Sequence, residues 1–301
     1  MSRDFGRIGI LMGGPSAERD VSLRSGKAVL DALLSKGYDA KPIELFMPTK
    51  EDLKSLDIDV AFIALHGSFG EDGQLQSMLE ELNIPYTGSR VDASRLAMDK
   101  IASRNIFQRN HLTIPNYEVF RNGASPNLKF KMPVVVKPSA QGSSVGLTIV
   151  DRKEELKSAM DRAFEFGEEI IIEEYIEGKE ITVGILEDRA LPVIQIAPKR
   201  RFYDYVAKYT AGVTEYLVPA PISKAESEPA QEVGLRAHKS LGCRSFSRVD
   251  MILNRQGVSV VLEVNTIPGL TQLSLLPKAA KVAGIDFPEL CEKMLESAFL
   301  I

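Results

Sequence analysis

Residues 247–265 read SRVDMILNRQGVSVVLEVN, and this stretch decides the fold that the sequence predicts. Two runs of aliphatic and β-branched residues flank a polar turn with one glycine, which is the pattern of a β-hairpin. Side chains two residues apart in a strand share a face. With the turn centred on Gln256-Gly257, four polar side chains meet on one face as two cross-strand pairs, Arg248 with Asn265 and Asp250 with Glu263.

The polar face of this hairpin has the composition of a metal site. Two neighbouring carboxylates, Asp250 and Glu263, repel each other unless a cation or a proton lies between them. With the Asn265 amide they offer a few oxygen ligands, which favours Mg²⁺ over a caged Ca²⁺ and leaves ligand positions for phosphate oxygens. A solvated face with cross-strand ion pairs explains the hairpin alone equally well. The opposite face is predicted to be core and contains Val249, Met251, Leu253, Val260, Leu262 and Val264.

Composition limits the class of protein. The chain has 301 residues, enough for two or three domains. Its 37 basic and 41 acidic residues give a net charge of -4, which argues against a nucleic-acid partner. No run is long enough to cross a membrane, so no membrane partner is expected. The two cysteines, Cys243 and Cys291, lack metal-ligand spacing and fit a reducing compartment, which predicts a cytoplasmic location.

The N-terminal region has the pattern of a parallel α/β unit. We predict strands over 7–12, 40–45 and 60–65 and a helix over 21–36, and the third strand is continuously apolar, as buried parallel strands are. The loops after the first and third strands would lie at the carboxyl ends of the strands, where such sheets bind ligands.

Each of these two loops carries one candidate ligand-binding side chain. Glu18, in the first loop, is either a first-turn carboxylate that stabilises a helix dipole or a group that binds a substrate ammonium. His66 follows the third strand and is either structural or faces a ligand. The first loop lacks the G-x-G-x-x-G spacing of a dinucleotide site, so that cofactor is not expected.

Two further loops have the composition of a flap and a lid that close over a bound ligand. Residues 139–146 are rich in Gly and Ser between two predicted strands, and their hydroxyl and N–H groups can cover phosphates, although an ordinary polar hairpin loop has the same composition. Residues 198–214 are basic, aromatic and without periodicity, which indicates a lid that orders over a ligand. Nucleic-acid stacking is the alternative for that segment, and the acidic chain disfavours it.

Short motifs recur in order along nearly the whole chain. They are GGPSAERDVS at 13–22, ALHG at 64–67, GEDG at 70–73, MDK at 98–100, VKP at 136–138, GSSVG at 142–146, YDYVAKY at 203–209, RVD at 248–250, EVNT at 263–266 and PG at 268–269. Each motif is weak alone, but their order and spacing are specific. Together they resemble the ATP-grasp superfamily and, within it, the D-alanine–D-alanine ligase family.

This resemblance implies a mixed α/β (α+β) ATP-grasp fold with an N-terminal parallel-sheet domain. The implied domains are a substrate domain over 1–92, a central subdomain with the Gly/Ser flap over 93–178, and a C-terminal subdomain with lid and metal site over 179–301. The implied partner of the chain is a second copy, in a homodimer. Gln141 and Ile267 depart from residues common in the family, and neither carries an assigned role.

The resemblance also assigns ligand roles. ATP phosphates would contact Lys100 and Lys137 under a flap that includes Ser144. Adenine and ribose would be held by Glu173 and Glu180, respectively. The nucleotide would also face Glu174, Tyr175, Ile176 and Lys208. Two Mg²⁺ or Mn²⁺ ions would be held by Asp250, Glu263 and Asn265, and some relatives also need a monovalent cation. The amino-acid substrates would contact Glu18, His66, Ser143, Lys208, Tyr209, Arg248, Gly269 and Ser274. Among these, Glu18, Ser143 and Tyr209 would form a hydrogen-bonded triad, and Arg248 with the Gly269 N–H would stabilise an oxyanion.

The implied reaction is ATP-dependent joining of two D-alanines through an acyl phosphate, for peptidoglycan precursor synthesis. The alternatives are another ATP-grasp carboxylate–amine ligase, including one that accepts D-lactate or D-serine, and a nucleotide-binding regulatory module without turnover. The pair Lys208-Tyr209 resembles the dipeptide-forming members. A pure sensor would not need Arg248 beside two metal carboxylates.

Overall fold

A computed structural model describes residues 4–124, 126, 128–199, 213–271 and 274–299, and its strands form three sheets. The chain has the mixed α/β architecture that the sequence predicts. None of the helices in these ranges has the length and hydropathy needed to cross a bilayer.

The N-terminal sheet is parallel and has the order β2-β1-β3. Its strands are β1 (Ile8–Gly13), β2 (Ala40–Leu45) and β3 (Val60–Ile63), and its helices are α1 (Arg19–Ser35), α2 (Lys50–Lys54) and α3 (Gln74–Glu81). Both β1 and β3 are fully buried, which confirms the parallel unit. The loops that follow them lie together, because the Ser16 hydroxyl donates to the His66 carbonyl at 2.6 Å.

The central sheet is antiparallel and has the order β4-β7-β5-β6. Its strands are β4 (Tyr117–Arg121), β5 (Val134–Pro138), β6 (Thr148–Val150) and β7 (Glu169–Glu174), and the accompanying helices are α4 (Val91–Met98), α5 (Lys100–Arg109) and α6 (Leu156–Phe164). The face of α6 that contains Met160 packs on Val134 and Ile172 of this sheet. The flap predicted over 139–146 joins β5 to β6 as expected.

The third sheet has the order β11-β10-β8-β12-β13, with β9 paired to β8. Its strands are β8 (Gly178–Leu186), β9 (Arg189–Ala190), β10 (Ile194–Pro198), β11 (Thr214–Leu217), β12 (Phe246–Asn254) and β13 (Ser259–Asn265). Helix α7 (Lys224–Ser240) lies between β11 and β12, and helices α8 (Leu275–Val282) and α9 (Phe287–Glu296) follow β13. Leu276 of α8 and Leu290 of α9 share one core with Ile8 and Phe62 of the N-terminal sheet. The first and last predicted domains therefore share a core, and the three-domain division stays a prediction.

The predicted hairpin is present as β12 and β13, with the two predicted polar pairs in register. Arg248 lies opposite Asn265 and Asp250 lies opposite Glu263. Beyond Asp250 the register shifts by one residue, and Met251 lies opposite Val261. One extra residue in β13 produces a β-bulge at this point.

The bulge makes part of the predicted core face wrong. In place of Val260 and Leu262, Val261 packs beside Val249 and Met251, although Val260 is also buried. Leu262 instead lines a cavity next to Glu263, and Val260 pairs with Ile252, which lines the same cavity. The sequence alternation fails here because the extra residue reverses the faces between the bulge and the turn.

Two alanine substitutions at adjacent positions test this bulge. Val261→Ala should lower the free energy of unfolding by about 2 kcal/mol, because it removes buried methyl groups. Leu262→Ala should cost less than about 1 kcal/mol, because this side chain borders a cavity, but it should weaken ligand binding there. Chemical denaturation measures both, and a larger stability loss for Leu262→Ala would contradict the observed register.

Candidate active site

Two cavities meet at the polar face of the β12–β13 hairpin. The larger has a volume of about 510 Å³ and the smaller about 140 Å³. Both are lined by Lys100 and Glu263, so the two cavities join at an ion pair in which the Lys100 Nζ lies 3.7 Å from Glu263 Oε2. A molecule in one cavity can therefore react with a molecule in the other at this junction.

The larger cavity has an acidic wall formed by the loops after β1 and β3. Glu18, His66 and Glu71 line it, together with Gly142 and Ser143 of the flap. The Ser143 hydroxyl donates to the Glu18 carboxylate across 125 residues of chain. This bond supports the ligand-facing interpretation of Glu18, since Glu18 makes no side-chain hydrogen bond to the start of α1.

His66 is buried and anchors a neighbouring loop. Its Nδ1 lies 3.0 Å from the Ile267 carbonyl and 3.3 Å from Glu71 Oε1, and its Nε2 lies 3.1 Å from Ser25 Oγ. Because Nδ1 faces two acceptors, it carries the proton in this arrangement. Ser25 Oγ also accepts from the Leu270 N–H at 3.2 Å. His66 thus fixes both ends of the segment that contains Gly269, which lines the cavity.

The hairpin side chains form one connected group at the floor of the two cavities. Arg248 binds Asp250 through two hydrogen bonds of 2.8 and 2.7 Å, and the Thr182 hydroxyl donates to Asp250 at 2.6 Å. Asn265 Oδ1 accepts from the Ile267 N–H at 3.0 Å. The two predicted cross-strand pairs therefore lie at one face, with Asp250 lining the smaller cavity and Asn265 the larger.

The donor set on this face fits a divalent cation at phosphate. Within the described ranges no three His, Cys, Asp or Glu side chains form a preassembled metal cluster. The predicted set instead has two carboxylates and one amide, which suits Mg²⁺ that takes its remaining ligands from phosphate oxygens and water. Cross-strand neighbours have Cβ atoms about 5 Å apart, so Asp250 and Glu263 can share one ion or two adjacent ions.

Beneath its polar end, the smaller cavity contains a buried charge triad that consists of Glu173, Arg104 and Lys137. Glu173 is buried and forms ion pairs with Arg104 and, at 2.7 Å, with Lys137 Nζ. Burial disfavours the charge on Glu173, but the two cations outweigh burial and hold its pKa below the usual range. Burial, opposed by Glu173 and aided by nearby Arg104 and Lys100, lowers the pKa of Lys137 to about 8.

Lys100 joins this cavity to the flap. Its N–H donates to the Ser139 carbonyl at 2.9 Å, and its Nζ donates to the Gln141 carbonyl at 2.5 Å. Ser143 and Ser144 of the same flap have left-handed backbone angles (φ 51° and 58°). Non-glycine residues in that region are strained, and such strain concentrates at ligand-binding loops.

The rest of the smaller cavity has the composition expected around a nucleotide base and sugar. Apolar side chains from four strands line it, including Val135, Ile149, Ile252 and Leu262, as does Ile176. The polar lining includes Ser144, Glu174, Tyr175 and Glu180. The Glu174 carboxylate accepts two 3.1 Å hydrogen bonds from Asn116.

The structure brings most of the predicted site residues to the two cavities. Glu18, His66, Arg248, Gly269 and Ser274 line the larger one, and the nucleotide set lines the smaller one. The predicted contributions of Lys208 and Tyr209 lie outside the described residues. Ser274 occupies the N-cap position of α8 without a side-chain capping bond, and its hydroxyl accepts from the Thr271 N–H at 3.1 Å.

Sequence reasoning missed two cations at this site, Arg104 and Lys278. Arg104 is fully buried on the same face of α5 as Phe107. A charged residue in the apolar stripe of an amphipathic helix was the signal that could have identified it. Lys278 lies one helical turn beyond Ser274 and lines the larger cavity.

Comparisons with known proteins identify relatives along the whole chain. The family model described as D-ala D-ala ligase C-terminus matches residues 106–296, and the one described as D-ala D-ala ligase N-terminus matches residues 45–89. A D-alanine–D-alanine ligase of Geotalea uraniireducens (strain Rf4) is 50% identical over 297 residues, which cover 98% of this chain and 96% of the relative.

Two similar solved structures are also ligases. The ATP complex of the D-alanine–D-alanine ligase from Bacillus anthracis has a TM-score of 0.84 and 35% identity and covers 97% of each chain. The VanG D-Ala:D-Ser ligase from Enterococcus faecalis has a TM-score of 0.86 and 30% identity, with 98% of this chain and 100% of that chain covered.

The charge triad generates a test that depends on pH. The role that the resemblance implies for Lys137, contact with ATP phosphates, needs the charged form of its side chain. With that role, the KM for ATP should be lowest below pH 8 and should rise above it, by up to about tenfold per pH unit. Arg104→Met removes a cation and should move this rise to higher pH. Glu173→Gln removes the anion and should move it to lower pH, with a clear loss of stability from two unpaired buried cations.

Steady-state kinetics at varied pH and ATP measures these shifts. Arg109→Met is the matched control, because Arg109 lies exposed on the same helix. Arg104→Lys should restore the wild-type profile in part. A KM profile that is identical in wild type, Arg104→Met and Glu173→Gln would contradict the assigned coupling.

Proposed function

Because the chain belongs to the D-alanine–D-alanine ligase family, we propose that it joins two D-alanine molecules into D-alanyl-D-alanine and converts ATP to ADP and phosphate. The observation that supports this most is the junction of two cavities at Lys100 and Glu263. One cavity offers an ammonium site and oxyanion donors, and the other offers cations for phosphates beside an apolar pocket. The product is a precursor for peptidoglycan synthesis.

ATP occupies the smaller cavity in this proposal, with its phosphates towards the junction. Lys100 and Lys137 contact the phosphates, and Ser144 covers them from the flap. The adenine lies among the apolar side chains beside Glu173, near the backbone of 174–176, and Glu180 binds the ribose hydroxyls. The similar ligase from Bacillus anthracis was solved as a complex with ATP, which supports ATP as the nucleotide.

Two Mg²⁺ or Mn²⁺ ions would be held by Asp250, Glu263 and Asn265. Bound there, the ions would neutralise charge on the phosphate oxygens. Arg248 binds Asp250. This ion pair balances the charge of one carboxylate and places the guanidinium at the edge of the larger cavity.

The first chemical step takes place at the junction of the cavities. Glu18 binds the ammonium of the first D-alanine, and Ser143 fixes Glu18 through its hydrogen bond. A carboxylate oxygen of this D-alanine attacks the γ-phosphorus of ATP, which forms an acyl phosphate and releases ADP. Lys100 and Lys137 balance the charge of the transferring group.

The second step needs support for an oxyanion. The neutral amine of the second D-alanine attacks the acyl carbon, phosphate leaves with the bonding electrons, and the nitrogen gives up one proton as the amide forms. Arg248 and the Gly269 N–H stabilise the oxygen that becomes negative, in a position that His66 fixes through the carbonyl of Ile267 and through Ser25. Preorganised donors of this kind lower the barrier because they need no reorientation during the reaction.

An acyl phosphate hydrolyses in water, so the site must be covered during the reaction. We assign this role to the flap and to the basic aromatic segment 198–214, in which Lys208 and Tyr209 complete the contacts to nucleotide and substrate. A cytoplasmic location, a homodimer and a monovalent cation complete the proposal, and these three rest on the cysteine usage and on the family.

A coupled assay for ADP release, with product mass determination, tests this function. The proposal predicts ADP release that depends on D-alanine and a product with the mass of D-alanyl-D-alanine. Parallel reactions with D-serine or D-lactate as the second substrate separate the alternative ligases, of which a D-serine-accepting enzyme has a structural relative. ATP binding without any ADP release would favour the regulatory module.

Glu263→Gln tests the assigned metal face. This change keeps the size of the side chain but removes one of two carboxylates, so turnover should fall by about 10³-fold or more while the fold stays intact. Circular dichroism checks the fold, and Glu232→Gln, at an exposed position on α7, is the matched control. Near-normal turnover of Glu263→Gln would refute the metal assignment.

A further inference from the structure

Lys278 is a cation of the larger cavity that the reaction described above does not use. It lies on α8, four residues after Ser274, and its N–H donates to the Ser274 carbonyl at 3.1 Å. Residues four apart on a helix lie on the same side, so the two side chains point in the same direction. Both line the cavity, together with Thr214 and Tyr216 of β11.

The ammonium of Lys278 is held in place without being neutralised. Its Nζ lies 4.3 Å from the centroid of the Tyr216 ring, within the range of a cation–π contact. In the part of the chain that the structure describes, no carboxylate forms an ion pair with Lys278. Burial lowers the pKa of Lys278, which is the effect expected for a half-buried cation that lacks an anion beside it.

The other cations of this cavity already have partners. Arg248 binds Asp250, and Lys100 contacts Glu263 and the Gln141 carbonyl. Arg24 is exposed and donates to the Asp20 carbonyl at 3.3 Å. Lys278 is therefore the cation of the described lining best suited to bind an anionic group of a ligand.

In the proposed reaction, the carboxylate of the second D-alanine is an anion to which no cation among the described residues has yet been assigned. The phosphates and the reacting carboxylate of the first D-alanine lie at the junction beside Lys100. The second D-alanine brings its amine to the same carbon, and its own carboxylate must then extend further into the larger cavity. Gly269, the oxyanion donor, lies next to Ser274, because a Cβ on Gly269 would be 3.0 Å from Ser274 Oγ.

The family resemblance already assigns Ser274 to the amino-acid substrates, and the Ser274 hydroxyl can contact a carboxylate in that place. Ser274 Oγ accepts from the Thr271 N–H and lies 2.8 Å from Thr271 Oγ1. When the Thr271 hydroxyl donates, the Ser274 hydroxyl proton is available for a ligand oxygen. A carboxylate there has a neutral donor from Ser274, a cation from Lys278 and the positive end of the α8 dipole.

We propose that Lys278, held over Tyr216, binds the carboxylate of the second D-alanine and thereby selects acceptors that carry a free carboxylate. This inference rests on the proposed function and specifies its acceptor site. Lys278 acts by charge in binding, and no bond to it forms or breaks. The residue determines which amine is used as acceptor, while the first substrate and ATP are bound elsewhere.

A competition between two acceptors tests this role. Wild type and Lys278→Met receive ATP and D-alanine with D-alaninamide, which has the same amine but no carboxylate, and mass spectrometry quantifies the two dipeptide products. We expect Lys278→Met to lose about ten- to a hundredfold in kcat/KM for D-alanine as acceptor, the range for a charged hydrogen bond. Use of D-alaninamide and the KM for ATP should stay unchanged.

Three further variants control the result. Lys278→Arg should retain most of the preference for D-alanine, and Tyr216→Leu should lose part of it, because the ammonium is no longer held. Lys281→Met, exposed on the same helix, should behave as wild type. Lys278→Met could lose activity equally with D-alanine and with D-alaninamide, or it could stay active with an unchanged preference for D-alanine. Either result would overturn this inference and leave the proposed function standing. A wild type without D-alanine-dependent ADP release would overturn the proposed function, and this inference with it.

Discussion

The register of one hairpin determines how the rest of the site is arranged. Asp250 lies directly opposite Glu263, and this contact places two like charges within a few ångströms of each other. Arg248 and Lys100 offset that repulsion with positive charge, and the Thr182 hydroxyl donates a hydrogen bond to Asp250. Because the hairpin is joined to the long strand β8 on one side, the two carboxylates are held on a rigid sheet and not on a loop.

The distribution of charge explains why two cavities meet there. The larger cavity has carboxylates at the ends of β1 and β3 and cations on β12 and α8, so a zwitterionic amino acid finds both signs of charge. The smaller cavity concentrates cations around one buried carboxylate, Glu173, which suits a polyphosphate. The bulge at Leu262 serves both cavities, because adjacent residues of β13 can then present an apolar side chain to the proposed base site and a carboxylate to the proposed phosphate site.

The sequence allowed prediction of the parts that depend on local periodicity. The two polar pairs of the hairpin followed from the two-residue repeat counted from the turn, and the N-terminal strands followed from their apolar runs. The bulge could not be predicted, because one extra residue leaves the hydrophobic pattern of β13 almost unchanged. The counterion of Arg104 could not be predicted, because Glu173 is 69 residues away and is brought near only by the sheet. The strands β4 and β11 are short and partly polar, so they carry little periodic signal.

The central claim is that Asp250, Glu263 and Asn265 hold a pair of divalent ions at the phosphates. Electron paramagnetic resonance of Mn²⁺ titrated into the protein with ADP measures this most directly, because it counts the bound ions and detects coupling between adjacent ones. The account predicts two spin-coupled Mn²⁺ per chain in wild type and loss of the coupled signal in Asp250→Asn and in Glu263→Gln. Retention of the coupled pair in both variants would contradict it.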